Sequence, residues 1–130
     1  MGARRPRPVV LDTGALIAFE RNDERVCRLI ELALANGVAV HVPAGVIAQA
    51  WCDGRRQARL GRLVGSGWLV VQPLDTTEAK GSGALCRRTR TADVIDASVA
   101  LLAQRHGAAV VTSDPDDLRQ LAPDLHVVDC

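Results

Sequence analysis

The chain has 130 residues and a formal net charge of +1, so its length suits one domain and its overall charge indicates no particular class of partner. Hydrophobic residues make up 48% of the sequence, which excludes a disordered chain, and aromatic residues make up only 2%, which argues against a protein that stacks bases on aromatic side chains. No apolar run approaches the length of a membrane span, and Asp12 interrupts the apolar stretch after the N-terminal arginines, so we expect neither a membrane protein nor a signal peptide.

Short apolar runs alternate along the chain with stretches of helical periodicity. Strands are predicted at residues 8–12, 38–42, 68–71, 109–112 and 126–128. Helices are predicted at 13–20, from a cap at Asn22 or Asp23 to 35, at 44–51, at 55–63, from a cap at Thr76 or Thr77 to 88, at 93–106 and at 116–121. This alternation predicts a three-layer α/β/α fold with a mainly parallel central sheet. Residues 1–8 are predicted to be a basic tail and residues 9–130 a single domain.

Aspartates follow two of the predicted strands and begin one predicted helix. Asp12 and Asp114 stand at strand ends, where parallel sheets place their sites, and Asp93 and Asp96 share one side of a helix that is otherwise apolar. Several carboxylates without a basic partner repel one another and favour binding of Mg²⁺ or Mn²⁺, which supports hydrolysis of phosphodiester bonds. Helix capping is the alternative explanation for the acids at helix starts, namely Asp93, Asp116 and Asp117.

Three segments together resemble the motifs of PIN-domain ribonucleases of the VapC toxin type. They are Leu11-Asp-Thr-Gly-Ala-Leu-Ile-Ala18, Asp93-Val-Ile-Asp-Ala-Ser-Val-Ala100 and Val110-Val-Thr-Ser-Asp-Pro-Asp-Asp-Leu118, in the family's order. The resemblance implies a metal-dependent endoribonuclease with a cognate VapB-like antitoxin, a homodimeric state and RNA as the substrate. By position it makes Asp12, Asp96 and Asp114 the metal ligands, with Asp93 and Asp117 as additional acids.

The sequence departs from the family pattern at Gln49. The family usually has a glutamate on the helix after the second strand, and that place falls on Gln49 here. An amide can offer a carbonyl oxygen or hold a water molecule, but it brings no charge. We therefore expect weaker metal binding, unless Asp93 supplies the missing carboxylate.

Arginines are candidates for contact with the RNA backbone. Arg55, Arg59 and Arg62 fall on one face of a predicted helix, and Arg87 and Arg88 precede the acidic helix. A solvated surface, or a surface that docks an acidic antitoxin, is the alternative explanation for both groups. The four cysteines show no metal-binding spacing and suit buried thiols in a reducing cytoplasm.

Two other classes of function stay open. One is a binding module, in which a PIN fold has lost strong metal binding through Gln49 and acts through protein or RNA partners. The other is a phosphatase or phosphoryl-accepting domain, because Asp12 follows the first strand. Gly14 stands where such phosphatases have a second aspartate, and Lys80 is badly placed for a phosphoacceptor domain.

Overall fold

A computed structural model describes residues 7–130, so most of the predicted basic tail (residues 1–8) lies outside the described residues. The strands are β1 (Val9–Leu11), β2 (Val40–Pro43), β3 (Leu69–Gln72), β4 (Ala109–Thr112) and β5 (His126–Asp129). The helices are α1 (Thr13–Glu20), α2 (Glu24–Ala35), α3 (Ala44–Ala50), α4 (Ala58–Gly65), α5 (Thr76–Thr89), α6 (Val94–His106) and α7 (Pro115–Leu121). None of the helices in the described part of the chain is long and apolar enough to cross a membrane.

The five strands form one sheet in the order β3-β2-β1-β4-β5, and every neighbouring pair is parallel. Successive residues of a strand face opposite sides of the sheet, yet Val10 and Leu11 are both fully buried, as are Val110 and Val111. Both faces of the central strands are therefore covered. Helix α1 packs with α2, α3 and α4, and α6 packs with α5 and α7. The predicted α/β fold with a parallel central sheet is confirmed.

Aspartate side chains begin several helices because a carboxylate oxygen accepts one of the backbone N–H groups that a helix start leaves free. Asp23 caps α2 by accepting from Val26 N at 3.0 Å, and it is one of the two residues predicted as the cap of this helix. The cap of α5 is Asp75, which accepts from Glu78 N at 2.9 Å, so the prediction of Thr76 or Thr77 was one or two residues late.

Helix α4 differs most from its prediction. It begins at Ala58 and not at residue 55, because two side chains hold the preceding residues in a turn. The Gln57 side-chain oxygen accepts from Cys52 N at 2.8 Å, and Asp53 accepts from Arg55 N at 3.0 Å. Arg55 thus precedes the helix, and it does not share a helix face with Arg59 and Arg62.

Two further features of the sheet, a stacked pair of histidines and an exposed edge strand, lie away from its carboxyl edge. At the amino end, the buried His41 of β2 stacks on His106, the last residue of α6, with ring centroids 4.2 Å apart. Strand β3 is an edge strand and leaves Val70 and Val71 exposed beside Trp68. Of the four cysteines predicted to be buried, Cys27 and Cys86 are buried, Cys130 is half-buried and Cys52 is exposed.

The order of the strands reverses between β1 and β4. From β1 the chain proceeds outward to β2 and β3, and then returns to the other side of β1 to form β4 and β5. Loops after the two strands at such a reversal diverge and leave a crevice at the carboxyl edge of the sheet. Asp12 follows β1 and Asp114 comes two residues after β4, so the topology brings both to this crevice.

Gly14 allows the start of α1 to approach the end of β4. A Cβ atom built on Gly14 would lie 2.8 Å from Ser113 Cβ, closer than two carbon atoms can pack, and in a tight contact of 3.2 Å with Ser113 N. A side chain at this position would push α1 away from the loop that carries Asp114.

We expect Gly14→Ala to lower the free energy of unfolding by about 1–3 kcal/mol, because the methyl group overpacks against Ser113, whose Cβ is fixed to the backbone and cannot rotate away. Gly45→Ala is the matched control, since its Cβ would meet only the movable end of the Ile95 side chain. Urea unfolding of both variants measures the difference. Equal losses in the two variants would contradict the role of Gly14.

Candidate active site

Asp12 is the most buried acid of the crevice. It is 5% exposed and caps α1, with its Oδ1 atom accepting from Ala15 N at 2.9 Å. Burial raises the pKa of the Asp12 carboxyl, a hydrogen bond with the Thr112 side chain opposes that effect, and the charge of Asp114 adds to it. The sequence prediction placed Asp12 at a strand end but did not expect it to cap a helix.

Thr112 connects the acids that follow β1 and β4. It is fully buried at the end of β4, where its hydroxyl bonds to Asp12 and its Oγ1 atom accepts from Asp114 N at 2.9 Å. Asp114 stands at the start of α7 but makes no capping bond with its side chain, which is exposed. No role was predicted for Thr112 from the sequence. The pattern that could have indicated one is a hydroxyl residue at the end of an otherwise apolar strand.

The start of α6 brings the second group of acids. Asp93 caps the helix, with its Oδ1 atom accepting from Ile95 N at 3.0 Å and from Asp96 N at 2.9 Å, and Asp96 is half-buried one turn on. Burial raises the pKa of Asp96 to about 6, and the charges of four other aspartates contribute in the order Asp93, Asp12, Asp117, Asp114. The five predicted acids therefore lie near enough to act on one carboxyl group.

Two open grooves adjoin these acids. One has a volume of about 290 Å³ and is lined by Arg90, Thr91, Ala92, Asp93, Asp96, Asp117, Gln120 and Leu121. The other, of about 480 Å³, is lined by Gly14, Ile17, Ala18, Arg21, Asp23, Ser113 and Cys130. The first groove is lined by three of the five acids, and the second is lined by Ser113, which precedes Asp114, and by Gly14, two residues after Asp12.

Gln49 is connected to the same site by a hydrogen bond with Thr13. The Thr13 hydroxyl donates to the Gln49 side-chain oxygen at 2.5 Å, and Thr13 directly follows Asp12. Gln49 is exposed on α3. Its carbonyl oxygen, the atom that could ligate a metal, is thus already engaged.

The donor set suits a hard divalent cation in its chemistry. All five acids offer carboxylate oxygens, and the ion pairs among residues 7–130 involve other acids, namely Asp53, Glu78 and Asp116. Yet no group of three or more His, Cys, Asp or Glu side chains in residues 7–130 is placed to hold a metal ion. Backbone N–H groups occupy one oxygen of Asp12 and one of Asp93, so binding of one ion by several of these acids requires some of their side chains to move.

The predicted RNA-binding arginines lie in three different settings. Arg59 is engaged within the protein, because its Nε atom donates to Phe19 O at 3.2 Å and its guanidinium lies 5.3 Å from the centroid of the Phe19 ring. Arg55 and Arg62 are exposed, and Arg87 and Arg88 are exposed in the last turn of α5. None of these arginines lines either groove beside the acids, whereas Arg90 and Arg21 do.

The protein is therefore a parallel α/β domain with an acidic site at the carboxyl edge of its sheet. The site lies where the strand order reverses, and it includes buried and half-buried aspartates. The sequence profile of the PIN domain matches residues 9–123, and the protein belongs to this family. No curated protein matches the sequence.

Solved structures with the same fold come from toxin–antitoxin systems. A chain of VapBC2 from Rickettsia felis, bound to a DNA fragment from its promoter, is similar with a TM-score of 0.69 and 16% identity over 94% of this chain and 98% of that one. A chain of DNA-bound VapBC from Salmonella typhimurium has a TM-score of 0.67 and 20% identity over 95% and 98%. VapC20 of Mycobacterium tuberculosis, a toxin that cleaves the sarcin–ricin loop, has a TM-score of 0.60 and 15% identity over 78% and 86%. At these identities the likeness shows a shared fold.

We expect Asp96→Asn to stabilise the metal-free protein at pH 8 and to give no gain near pH 4. The folded state raises the pKa of Asp96 from 3.8 to about 6, so ionisation above pH 6 costs stability, and this cost disappears as the pH falls towards 3.8. Because Asp96 is half exposed, the gain at pH 8 is about 1 kcal/mol, or about 3 °C in melting temperature. Melting of both proteins in EDTA at the two pH values measures it, and a loss of stability at pH 8 would contradict the repulsion.

Proposed function

We propose that this protein is a Mg²⁺- or Mn²⁺-dependent endoribonuclease that hydrolyses RNA, and the toxin of a VapBC-type toxin–antitoxin pair. The observation that carries the proposal is the group of five aspartates at the carboxyl edge, which form no ion pair with a basic residue among residues 7–130. Burial and the charges of the other four raise the pKa of Asp96. Strained electrostatics of this kind destabilise a fold and are typical of functional sites. Membership of the PIN family supports a nuclease.

In this proposal Asp12, Asp96 and Asp114 hold the metal, and Asp93 and Asp117 add negative charge beside it. The bound metal would activate a water molecule and stabilise the leaving oxygen. Thr112 orients Asp12 through its hydroxyl and fixes the backbone of Asp114, so it positions two of the three ligands from the core. Asp96 holds a proton below about pH 6 and serves as a ligand only after losing it.

The partners follow from the toxin proposal. We propose RNA as the substrate, a cognate VapB-like antitoxin, a homodimer and a cytoplasmic location, with Arg55, Arg59, Arg62, Arg87 and Arg88 as RNA-contacting residues. The structures that share the fold support the antitoxin, since they include VapBC bound to DNA and a toxin–antitoxin complex from Klebsiella pneumoniae, and the fold of VapC20 supports RNA. Arg59 has the weakest case among the arginines, because Phe19 already engages its guanidinium.

We expect Asp12→Asn and Asp96→Asn to abolish metal-dependent RNA cutting by the purified protein while leaving it folded. Each change removes a proposed ligand and relieves repulsion in the absence of metal. Asp116→Asn is the control, since Asp116 is exposed, adjoins Asp117 and pairs with Arg119 outside the acidic group. Gel assays of RNA cleavage with Mn²⁺, paired with melting in EDTA, test this, and cutting that persists in both variants would refute the metal-nuclease proposal.

The second candidate function is a PIN-fold binding module with weakened metal binding. The observation that favours it is the bond between Thr13 and Gln49, because the family's usual glutamate is replaced by an amide whose oxygen is already engaged. A site with one charge fewer binds a divalent cation less tightly.

We expect Gln49→Glu to tighten Mn²⁺ binding by roughly tenfold, because the new carboxylate can keep the Thr13 bond with one oxygen and offer the other to the metal. Gln104→Glu is the control, since Gln104 is exposed near the far end of α6. Titration calorimetry measures both affinities. Equal or weaker binding in Gln49→Glu would argue against a place for residue 49 in the metal site.

A further inference from the structure

Four helices in residues 7–130 end in the same backbone arrangement, and the residue that ends α5 is the unusual one. In α1 the left-handed residue is Asn22, with φ +59°, a residue type that tolerates this conformation. In α2 and α6 the left-handed residue after the helix is glycine, Gly37 with φ +69° and Gly107 with φ +60°. In α5 it is Arg90, with φ +56° and ψ +41°. The flanking bonds match, since Thr91 N donates to Cys86 O at 3.0 Å as Ala108 N donates to Ala103 O at 2.9 Å. A side chain makes this conformation costly, so the helix ending alone would favour glycine at position 90.

The left-handed turn places Arg90 in the acidic groove. Arg90 lines the groove of about 290 Å³ together with Asp93, Asp96 and Asp117, and among the described residues that line it Arg90 is the one with a basic side chain. Its side chain is exposed and takes part in none of the ion pairs found in residues 7–130. Arg90 is therefore a cation beside the acids that neutralises none of them by direct contact.

We propose that the Arg90 guanidinium binds a phosphate of the RNA strand next to the acidic group; this inference rests on the proposed nuclease function. A polyanion that approaches three lining carboxylates is repelled, and a bound divalent cation offsets that repulsion only at the phosphate it touches. A guanidinium at the rim supplies donors in a planar fork that matches a neighbouring phosphate. Residues with a strained backbone often lie at functional sites. At position 90 the strained residue brings a positive charge that glycine would not bring.

The experiment measures RNA binding apart from cleavage. A short fluorescein-labelled single-stranded RNA is titrated with the full chain in EDTA over a range of NaCl concentrations, with anisotropy as the readout. We expect Arg90→Gly to weaken binding by about tenfold and to reduce the salt dependence by about 0.7 in the log–log slope, the amount for one phosphate contact on a single strand. Arg90→Lys should keep the salt slope, and Arg28→Ala, which removes an exposed arginine of α2, should match the wild type.

Glycine is chosen because it suits the left-handed backbone, so the variant should melt at the wild-type temperature or above it. Arg90→Asn, a second neutral residue that tolerates this conformation, guards against an effect peculiar to glycine. If Arg90 only ends a helix, both variants will bind RNA like the wild type, which overturns the inference. An absence of measurable RNA binding by the wild type also overturns it.

Cleavage of the same RNA with Mn²⁺ separates this inference from the proposed function. We expect the Arg90 variants to raise KM by about the same factor by which they weaken RNA binding, and to change kcat little. The reason is that the phosphate contact is present both in the bound substrate and in the transition state. If the wild type binds but never cuts, the nuclease proposal fails, while weaker binding by Arg90→Gly still supports the phosphate contact. If the wild type cuts and Arg90→Gly shows the same KM, the nuclease proposal stands and the role of Arg90 is wrong.

Discussion

Repulsion among aspartates at one edge of the sheet is the constraint on which the rest of the structure depends. Burial is the largest cause of the cost of ionising Asp96, and the charges of four other aspartates add to it. The fold compensates with hydrogen bonds from Thr112, Ala15 N and Ile95 N, each of which stabilises a carboxylate without neutralising it. Because the sheet and the helices supply these donors from rigid elements, the site keeps its charge available for a cation.

The topology gathers residues that are far apart in the sequence. Asp12 and Asp114 are separated by nearly the whole chain, yet β1 and β4 are adjacent and parallel, with Leu11 opposite Val111. The apolar helix α6 packs against β1, β2 and β4 and brings Asp93 and Asp96 to the same edge. A short chain thus forms an acidic site from three separate segments without a long loop, since the ends of two strands and the starts of two helices carry all five acids.

The sequence predicts the fold well because it depends on patterns of local residues. Apolar runs set the strands, and an aspartate after a run marks a strand end, so α1 was predicted with its observed bounds. The start of α4 was wrong because it depends on bonds from Gln57 and on Glu20, whose side chain accepts from Leu60 N across the fold. No pattern in the sequence indicates that Arg90 adopts a left-handed conformation, since that depends on how α5 meets α6.

Gly14 has no side chain to bind metal, substrate or proton, yet it sets how near α1 comes to the loop after β4. Activity measured across a library of variants would therefore rank this position with the aspartates, although nothing at Gly14 takes part in a reaction. A survey of which positions tolerate substitution would therefore detect the residues that set the geometry of the crevice as readily as the residues that take part in its chemistry. Only a parallel measure of folding for each variant separates a residue that acts from one that keeps a space empty.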